Sequence, residues 1–282
     1  MSEFRDKYSA VWVSHSSMGD FLKCPRAYFL HNIYKDPKNG RKINIVNPAL
    51  ALGVAVHEVV EGLGKFKAEE RAKQALLEQF ENAWKKVSGK RGGFTNEVDE
   101  NEAKARGEAM IERVAKNIEH LTTKIIKLSN GKNDMLPNYF LSEEENIILC
   151  GKIDWLRYVP EDDSLHVLDF KTGKREENEE SLQLPIYQLL LHNLQKRKVS
   201  GASYWYLDRD DAPISAPLPS LEDSYKRVID VALKVKAARA SKVFECPRGP
   251  QGCFACLPFE KILKSDALYV GVGEYNQDLY IV

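Results

Sequence analysis

A β-rich segment in the second half of the chain carries an acid and a base that a strand would point in one direction. Asn146 to Val159 and Leu165 to Lys171 are rich in apolar residues, and the turn sequence PEDDS joins them, which predicts a β-hairpin. Because successive side chains alternate between the faces of a strand, Asp169 and Lys171 share one face and Phe170 lies on the other. The hairpin therefore places a carboxylate and an ammonium together at a sheet.

A second acid, Asp154 in the sequence GKIDWL, lies on the partner segment and can approach Asp169 across the turn. A carboxylate in an apolar setting is costly unless it is paired or binds a cation. Two carboxylates suit Mg²⁺ or Mn²⁺, and Lys171 could stabilise negative charge or position a water. For an isolated D-x-K sequence, a salt bridge at a strand end, with Asp154 solvated, is the simpler interpretation.

The rest of the chain alternates between helical and strand patterns. Helices are predicted from Ser14 onward (N-cap Ser16 or Ser17, with Cys24-Pro25 inside), and at Pro48–Gly64, Ala68–Val87, Glu97–Leu128, Ser181–Gln195 and Ser220–Ala240. Further strands are predicted at Gly201–Leu207 and in the final GVGEYNQDLYIV. This order predicts one α/β domain whose N- and C-terminal flanks pack together.

Composition limits the protein class without identifying a partner. The 282 residues are 43% hydrophobic and 29% charged, as in ordinary globular proteins. Lys plus Arg and Asp plus Glu both number 41, and a net charge of zero neither supports nor excludes nucleic-acid binding. No apolar run approaches the roughly 20 residues of a membrane span, and MSEFRDKYSAVWV lacks a signal-peptide pattern. We therefore expect a cytoplasmic protein with no membrane partner.

Four of the five cysteines have a spacing that favours ligation. Cys253 and Cys256 form a C-x-x-C pair, Cys246 lies seven residues upstream, and Cys24 is more than two hundred residues away. In a reducing compartment this pattern points to a metal or cluster rather than to disulfides. Four unrelated packed cysteines are the alternative, but a loop-borne C-x-x-C with a third cysteine nearby seldom serves core packing. Cys150 is interpreted as a small core residue.

Four motifs follow one another along the chain. They are ALGVAVHEVVEG with His57, GKIDWLRY with Asp154, VLDFKTGK with Asp169 and Lys171, and LQLPIYQLLL with Gln183 and Tyr187. In this order the sequence resembles the PD-(D/E)XK nuclease superfamily, in its RecB-like branch, from about Ser14 to Cys256. The resemblance implies a restriction-endonuclease-like α/β core, a central mixed β-sheet flanked by helices, in a single domain over 1–282 with a helical insertion at 65–130.

The resemblance also implies metal-dependent hydrolysis of phosphodiester bonds. The residues that match the family's metal site are His57, Asp154, Asp169 and the main-chain carbonyl of Phe170, which would hold Mg²⁺ or Mn²⁺. Lys171 would orient or help deprotonate a water and stabilise the pentacoordinate transition state. Gln183 and Tyr187, on one helix face, would contact the substrate backbone. Taken singly, His57 is more often a core histidine and Gln183 and Tyr187 an ordinary helix face. Glu145 is a supporting acid or, more simply, part of a solvated charge run.

The cysteine pattern is similar to the iron–sulfur staple of AddB-type and CRISPR-associated RecB-like nucleases. By that resemblance Cys24, Cys246, Cys253 and Cys256 would hold a 4Fe-4S cluster that ties the chain ends together. Relatives usually place their last cysteine several residues after the C-x-x-C, where LPFEKIL has none. Tetrahedral Zn²⁺ is therefore the alternative.

Three functions fit these motifs. The leading one is a deoxyribonuclease, an exonuclease on single strands or ends in DNA repair or recombination, with Lys152, Arg157, Lys174 and Arg175 as candidates to line a DNA groove. The second is a non-cleaving module that holds DNA ends or a partner protein. The third is a spacer-processing subunit in CRISPR adaptation; a helicase or a CRISPR integrase would be the protein partner.

Overall fold

Helices and strands alternate along the chain in the computed structural model, which describes residues 7–128 and 136–282. The helices are α1 (His15–Lys23), α2 (Pro25–Tyr28), α3 (Pro48–Gly62), α4 (Ala68–Arg71), α5 (Leu76–Val87), α6 (Glu97–Lys116), α7 (Gln183–Leu194), α8 (Leu221–Ser241) and α9 (Leu257–Leu263). The strands are β1 (Val11–Val13), β2 (Ile43–Ile45), β3 (Asn138–Ser142), β4 (Ile147–Cys150), β5 (Trp155–Val159), β6 (Ser164–Lys171), β7 (Val199–Tyr206), β8 (Ile214–Ala216), β9 (Leu268–Val272) and β10 (Asp278–Ile281). The mixed α/β class predicted from the sequence is confirmed.

Within the described part of the chain, the strands form three mixed sheets. The largest has the order β5-β6-β7-β8, in which β6 pairs antiparallel with β5 and parallel with β7. A second has the order β1-β4-β3, and a third has the order β2-β10-β9. The predicted β-rich run from Asn146 to Val159 is therefore two strands in different sheets, β4 and β5, separated by Gly151–Asp154.

Strand β6 lies between two apolar clusters, and its side chains alternate between them. Leu165 and Val167 belong to the cluster that includes α7 and α8, whereas Leu168 and Phe170 belong to the cluster that includes α3, α5 and α6. Because both faces are covered by helices, the strand is apolar almost throughout. By the same alternation, Asp169 points toward α7.

The helical region between α3 and β3 is bonded to the end of this sheet. Arg106 of α6 donates to the carbonyl oxygen of Thr172 at 2.8 Å, just after β6. Arg113, two turns along α6, donates to the carbonyl oxygen of Leu207 at 2.7 Å, just after β7. These two bonds attach α6 to the ends of both strands. Residues 129 and 130 of the insertion predicted at 65–130 lie outside the described residues.

The predicted first helix begins earlier than expected and is broken in the middle. Ser14, rather than Ser16 or Ser17, is the N-cap, and it forms a capping box with Ser17. Cys24 is extended, with φ −169°, and Pro25 starts a new helix. The break follows from proline chemistry, because the residue before a proline disfavours the helical conformation.

The two long helices predicted at Ala68–Val87 and Glu97–Leu128 are also shorter than expected. The first is divided between α4 and α5, and Arg71 at the end of α4 donates to the carbonyl oxygens of Leu63, Phe66, Leu121 and Thr123. The second ends at Lys116, because the chain beyond it pairs with β5, where Ile126 donates to the carbonyl oxygen of Leu156 at 2.9 Å. Tertiary pairing overrides local helical propensity at this point.

The two flanks of the chain meet, as predicted. Ile43 and Leu30 pack with Phe259 and Ile262 of α9, and β2 pairs with β10 in the third sheet. The predicted last strand is thus a hairpin, β9–β10. Among the helices at 7–128 and 136–282, none combines the length and apolar character needed to cross a membrane.

Substitution of Gly107 by alanine should destabilise the fold. A Cβ atom at Gly107 would overlap the ring of Phe80 and lie 2.9 Å from Leu52 Cδ1, where α6 crosses α5 and α3. We expect Gly107→Ala to lower the free energy of unfolding by about 1–3 kcal/mol, measured by urea denaturation. Gly19→Ala in α1 is the matched control, because a Cβ there meets nothing within 4 Å; equal stability of the two variants would contradict the packing argument.

Candidate active site

Asp169 lies in a hydrogen-bond network beneath the first turns of α7. Its Oδ1 atom accepts from Gln183 Nε2 at 2.7 Å and from the Tyr187 hydroxyl at 3.0 Å. Gln183 and Tyr187 are four residues apart, so they occupy one helix face. The side chain of Asp169 is buried, and a buried carboxylate is tolerated only when it is paired in this way. The network fixes the orientation of the carboxylate.

Lys171 is held as an ammonium group by three oxygen atoms. Its Nζ lies 2.9 Å from Asp169 Oδ2, 2.8 Å from Glu177 Oε2 and 2.5 Å from Gln183 Oε1. Burial lowers the pKa of Lys171, but Asp169 and Glu177 outweigh burial and raise the pKa above its usual value. A charged lysine donates hydrogen bonds and stabilises negative charge.

A second group of ligand-type side chains lies beside this network, between α3 and the start of β5. His57 Nδ1 lies 3.0 Å from Glu61 Oε1 and 3.6 Å from Asp154 Oδ2. One ligand atom from each of these three residues lies within 4.8 Å of the others. Glu61 also pairs with Lys152. The spacing of the three residues is that of a candidate cation site.

The position of Asp154 connects the two groups. Asp154 directly precedes β5, and the pairing of Trp155 with Leu168 places it beside the end of β6. Its Oδ2 atom accepts a hydrogen bond from the main-chain N–H of Phe170 at 3.2 Å. Burial, followed by repulsion from Asp169, raises the pKa of Asp154 to about 7, and His57 opposes this shift.

This donor set fits a divalent cation. Repulsion from Asp169 contributes to the raised pKa of Asp154, and a cation between the two carboxylates would relieve that repulsion. Asp169 Oδ2 is buried and close to Lys171, yet it has no hydrogen bond of ordinary geometry, so one ligand position on this oxygen is open. Carboxylate and imidazole ligands suit Mg²⁺ or Mn²⁺.

The sequence-predicted residues separate into these two neighbouring groups. His57 and Asp154 lie in the candidate cation site, whereas Asp169, Lys171, Gln183 and Tyr187 form the network. Gln183 and Tyr187, expected at the substrate, bind Asp169 instead. Phe170 contributes its main-chain N–H to Asp154.

Two acids were missed by the sequence interpretation. Glu61 follows His57 by four residues in HEVVEG, so helical spacing could have indicated it. Glu177 lies in the loop between β6 and α7, and its contact with Lys171 has no signal in the sequence pattern. Of the residues considered outside the core motifs, Lys152 reaches the site, while Glu145 pairs instead with Lys236 at 2.6 Å.

The four predicted cysteine ligands converge in a cluster of their own. Cys24, at the break between α1 and α2, lies with Cys246, Cys253 and Cys256, and their four Sγ atoms are within 4.8 Å of one another. We call this group the cysteine staple. All four side chains are buried. Cys150 lies elsewhere, half-buried, with its Sγ 3.5 Å from the carbonyl oxygen of Val13.

Main-chain groups prepare one of these sulfurs for ligation. Burial raises the pKa of the Cys253 thiol, but the N–H groups of Cys256 and Ala255 outweigh burial and lower it to about 7. Burial raises the pKa of Cys24 to about 12. Because thiolates, not thiols, bind metals, a cation is needed to hold all four sulfurs in the charged form.

Comparison with known protein families agrees with this geometry. A model of the PD-(D/E)XK nuclease superfamily matches residues 12–258, a range that contains both groups of site residues and the cysteine staple. The chain belongs to the PD-(D/E)XK nuclease superfamily. A search of curated proteins gave no significant match. Members of the superfamily are typically metal-dependent nucleases.

Asp154→Asn should stabilise the protein, and more so as the pH rises. Because the pKa of Asp154 is raised in the folded state, folding binds protons and stability falls as pH rises from about 4 to about 7. Without added Mg²⁺ or Mn²⁺, we expect the variant to be more stable than wild type by about 2 kcal/mol at pH 8, and by much less at pH 5. Urea denaturation at both pH values measures the difference.

Asp163→Asn is the matched control for this prediction. Asp163 lies in the turn of the same hairpin, is largely exposed and pairs with Arg197 at 2.8 Å, so its effect should stay within about 0.5 kcal/mol at both pH values. Equal stabilities of wild type and Asp154→Asn at pH 8 would contradict the burial argument.

Proposed function

We propose that the chain is a metal-dependent deoxyribonuclease of the RecB-like branch that hydrolyses single strands or DNA ends. The observation that carries this proposal is the pairing of buried Asp169 with the Lys171 ammonium at 2.9 Å, beside the candidate cation site of His57, Glu61 and Asp154. The helix-borne His57 and the Q-x-x-x-Y sequence of α7 support the assignment to the branch. A role in DNA repair or recombination, or in CRISPR adaptation, with a helicase or an integrase as partner, is part of the proposal.

Each residue type has a defined task in this reaction. His57, Asp154, Asp169 and the Phe170 carbonyl would hold Mg²⁺ or Mn²⁺, with Glu61 as an added ligand or as the partner that orients the imidazole. The bound ion would lower the pKa of a water and neutralise phosphate charge. Lys171 would donate to the phosphate oxygens as negative charge develops. Gln183 and Tyr187 would hold Asp169 in its ligating orientation.

The cysteine staple would bind a metal centre distinct from this site. Its place in the fold, joining the α1–α2 break to the segment before α9, supports a structural task. By ligand type alone, a 4Fe-4S cluster, which the resemblance implies, or tetrahedral Zn²⁺ would satisfy four thiolates.

A non-cleaving module that binds DNA ends or a partner protein is the second candidate function. The observation that favours it is the contact of Lys152 with Glu61, because an ammonium group there takes the place of a cation. Such a module would bind DNA at the same residues and leave it intact.

Asp169→Asn and Lys171→Met should each abolish cleavage. We expect a loss on the order of a thousandfold or more, because one variant removes a metal ligand and the other the charge that stabilises the transition state. The assay uses end-labelled single-stranded, duplex and flapped DNA, and an RNA strand, with Mg²⁺ or Mn²⁺. Asp163→Asn serves as the control with unchanged activity.

The results separate the two candidate functions. Wild-type protein that binds DNA but leaves every substrate intact in Mn²⁺, with binding unchanged in Asp169→Asn, would establish the non-cleaving module. Cleavage that persists in both variants would contradict the assignment of this site.

Glu177→Gln should tighten DNA binding. Glu177 places a negative charge 2.8 Å from Lys171 Nζ, which repels phosphate and competes for the ammonium. We expect the Kd for single-stranded DNA to fall by about threefold to tenfold at low salt, with the difference decreasing as salt rises. Fluorescence anisotropy without Mg²⁺ or Mn²⁺ measures it.

Glu176→Gln is the matched control for this charge effect. Glu176 is the neighbouring acid, is exposed and pairs with Arg209 at 3.0 Å, away from Lys171. A similar change in Kd for both variants, or no change in Glu177→Gln, would show that Glu177 does not restrain Lys171.

A further inference from the structure

The sulfur atoms of the cysteine staple are spaced for a single ion. In a tetrahedral site with metal–sulfur bonds of about 2.3 Å, the sulfurs lie about 3.8 Å apart. The Sγ atoms of Cys253 and Cys256 are 3.8 Å apart, and all four Sγ atoms lie within 4.8 Å of one another. One ion at their centre would reach all four with small adjustments.

A cubane cluster requires a wider arrangement. Each of its four irons binds a different cysteine and the bonds point outward, so the four sulfurs lie about 6 Å apart. No two Sγ atoms of the staple are more than 4.8 Å apart, which is below this value. All four cysteines would have to move apart to admit four irons and four sulfides.

The surroundings of the staple oppose such an expansion. The cysteines are at most 6% exposed and pack against Ala27 and Ala255. A Cβ atom at Gly252 would lie 3.1 Å from Leu257 and 3.3 Å from Cys256 Sγ, so the backbone is closely packed against this sulfur. The turn after Cys246 is closed by the N–H of Gly249, which donates to the Cys246 carbonyl oxygen at 2.8 Å.

Charge and hydrogen bonding also agree with a four-thiolate site. The main-chain N–H of Cys253 donates to Cys256 Sγ at 3.2 Å, which stabilises negative charge on sulfur. A divalent ion would hold all four sulfurs as thiolates, and this hydrogen bond would remain in place.

We propose that Cys24, Cys246, Cys253 and Cys256 bind one zinc ion, in place of the 4Fe-4S cluster that the resemblance implies. Among common divalent ions, a closed tetrahedral set of four thiolates is typical of structural zinc. The ion joins two segments of the chain and takes no part in hydrolysis, so the proposal does not depend on the proposed nuclease activity.

Metal analysis of the wild-type protein tests the proposal directly. The full-length protein is produced in cells supplied with both iron and zinc and is purified without oxygen. Its content of zinc, iron and acid-labile sulfide is then measured, and its visible absorption spectrum is recorded. We expect about one zinc per chain, no sulfide and no visible absorption band. Replacement by Co²⁺ should give the intense bands of a tetrahedral thiolate site.

Cysteine variants identify the ligands. Cys253→Ser and Cys24→Ser should lower the zinc content to less than about a tenth of an ion per chain, whereas Cys150→Ser, outside the staple, should retain it. Three results for the wild-type protein would each overturn the assignment: roughly four irons with matching sulfide, one iron without sulfide, or no bound metal even after addition of Zn²⁺. Because these results come from the wild-type protein, they hold even where a variant fails to fold.

Discussion

The ion pair of Asp169 and Lys171 on one face of β6 is the interaction on which the site depends. Both strand faces are covered by helices, so a charged residue in the middle of β6 must find its partners inside the protein. Lys171 supplies the opposite charge, and α7 supplies a hydroxyl and an amide. The same three contacts, those of Asp169 with Lys171, Gln183 and Tyr187, therefore both orient the charged groups at the end of β6 and hold α7 against the sheet.

The parts of the site that could be predicted from the sequence follow a regular period. The alternation along β6 predicts that Asp169 and Lys171 lie on the same face of the strand. The four-residue spacing on α7 predicts that Gln183 and Tyr187 lie on the same face of the helix. Glu177 follows no period, because a loop residue reaches Lys171 only after β6 and α7 have been placed. The same reasoning applies to the helix ends: local propensity extended a helix to Leu128, whereas pairing with β5 makes the chain leave the helix after Lys116.

The cysteine staple shows how far ligand spacing in a sequence can be interpreted. The spacing identifies which cysteines come together, but it says little about the size of the group that they would enclose. The size of the enclosed group depends on how tightly the surrounding loops close. Gly249 and Gly252, both with φ near +80°, allow the loop before α9 to turn sharply toward Cys24. A metal link between segments this far apart in sequence would remove roughly 5 kcal/mol of loop-closure entropy from the unfolded chain.

The two arginines of α6 have a consequence for how the protein opens. Arg106 and Arg113 satisfy the carbonyl oxygens just beyond β6 and β7, which are the positions where a sheet would otherwise begin to fray. The helical region after α3 therefore stabilises the end of β6, the strand that carries Asp169 and Lys171. We therefore expect hydrogen exchange at the ends of these strands to follow detachment of α6. A shortened chain without α6 would lose order at the end of β6 as well as a helix.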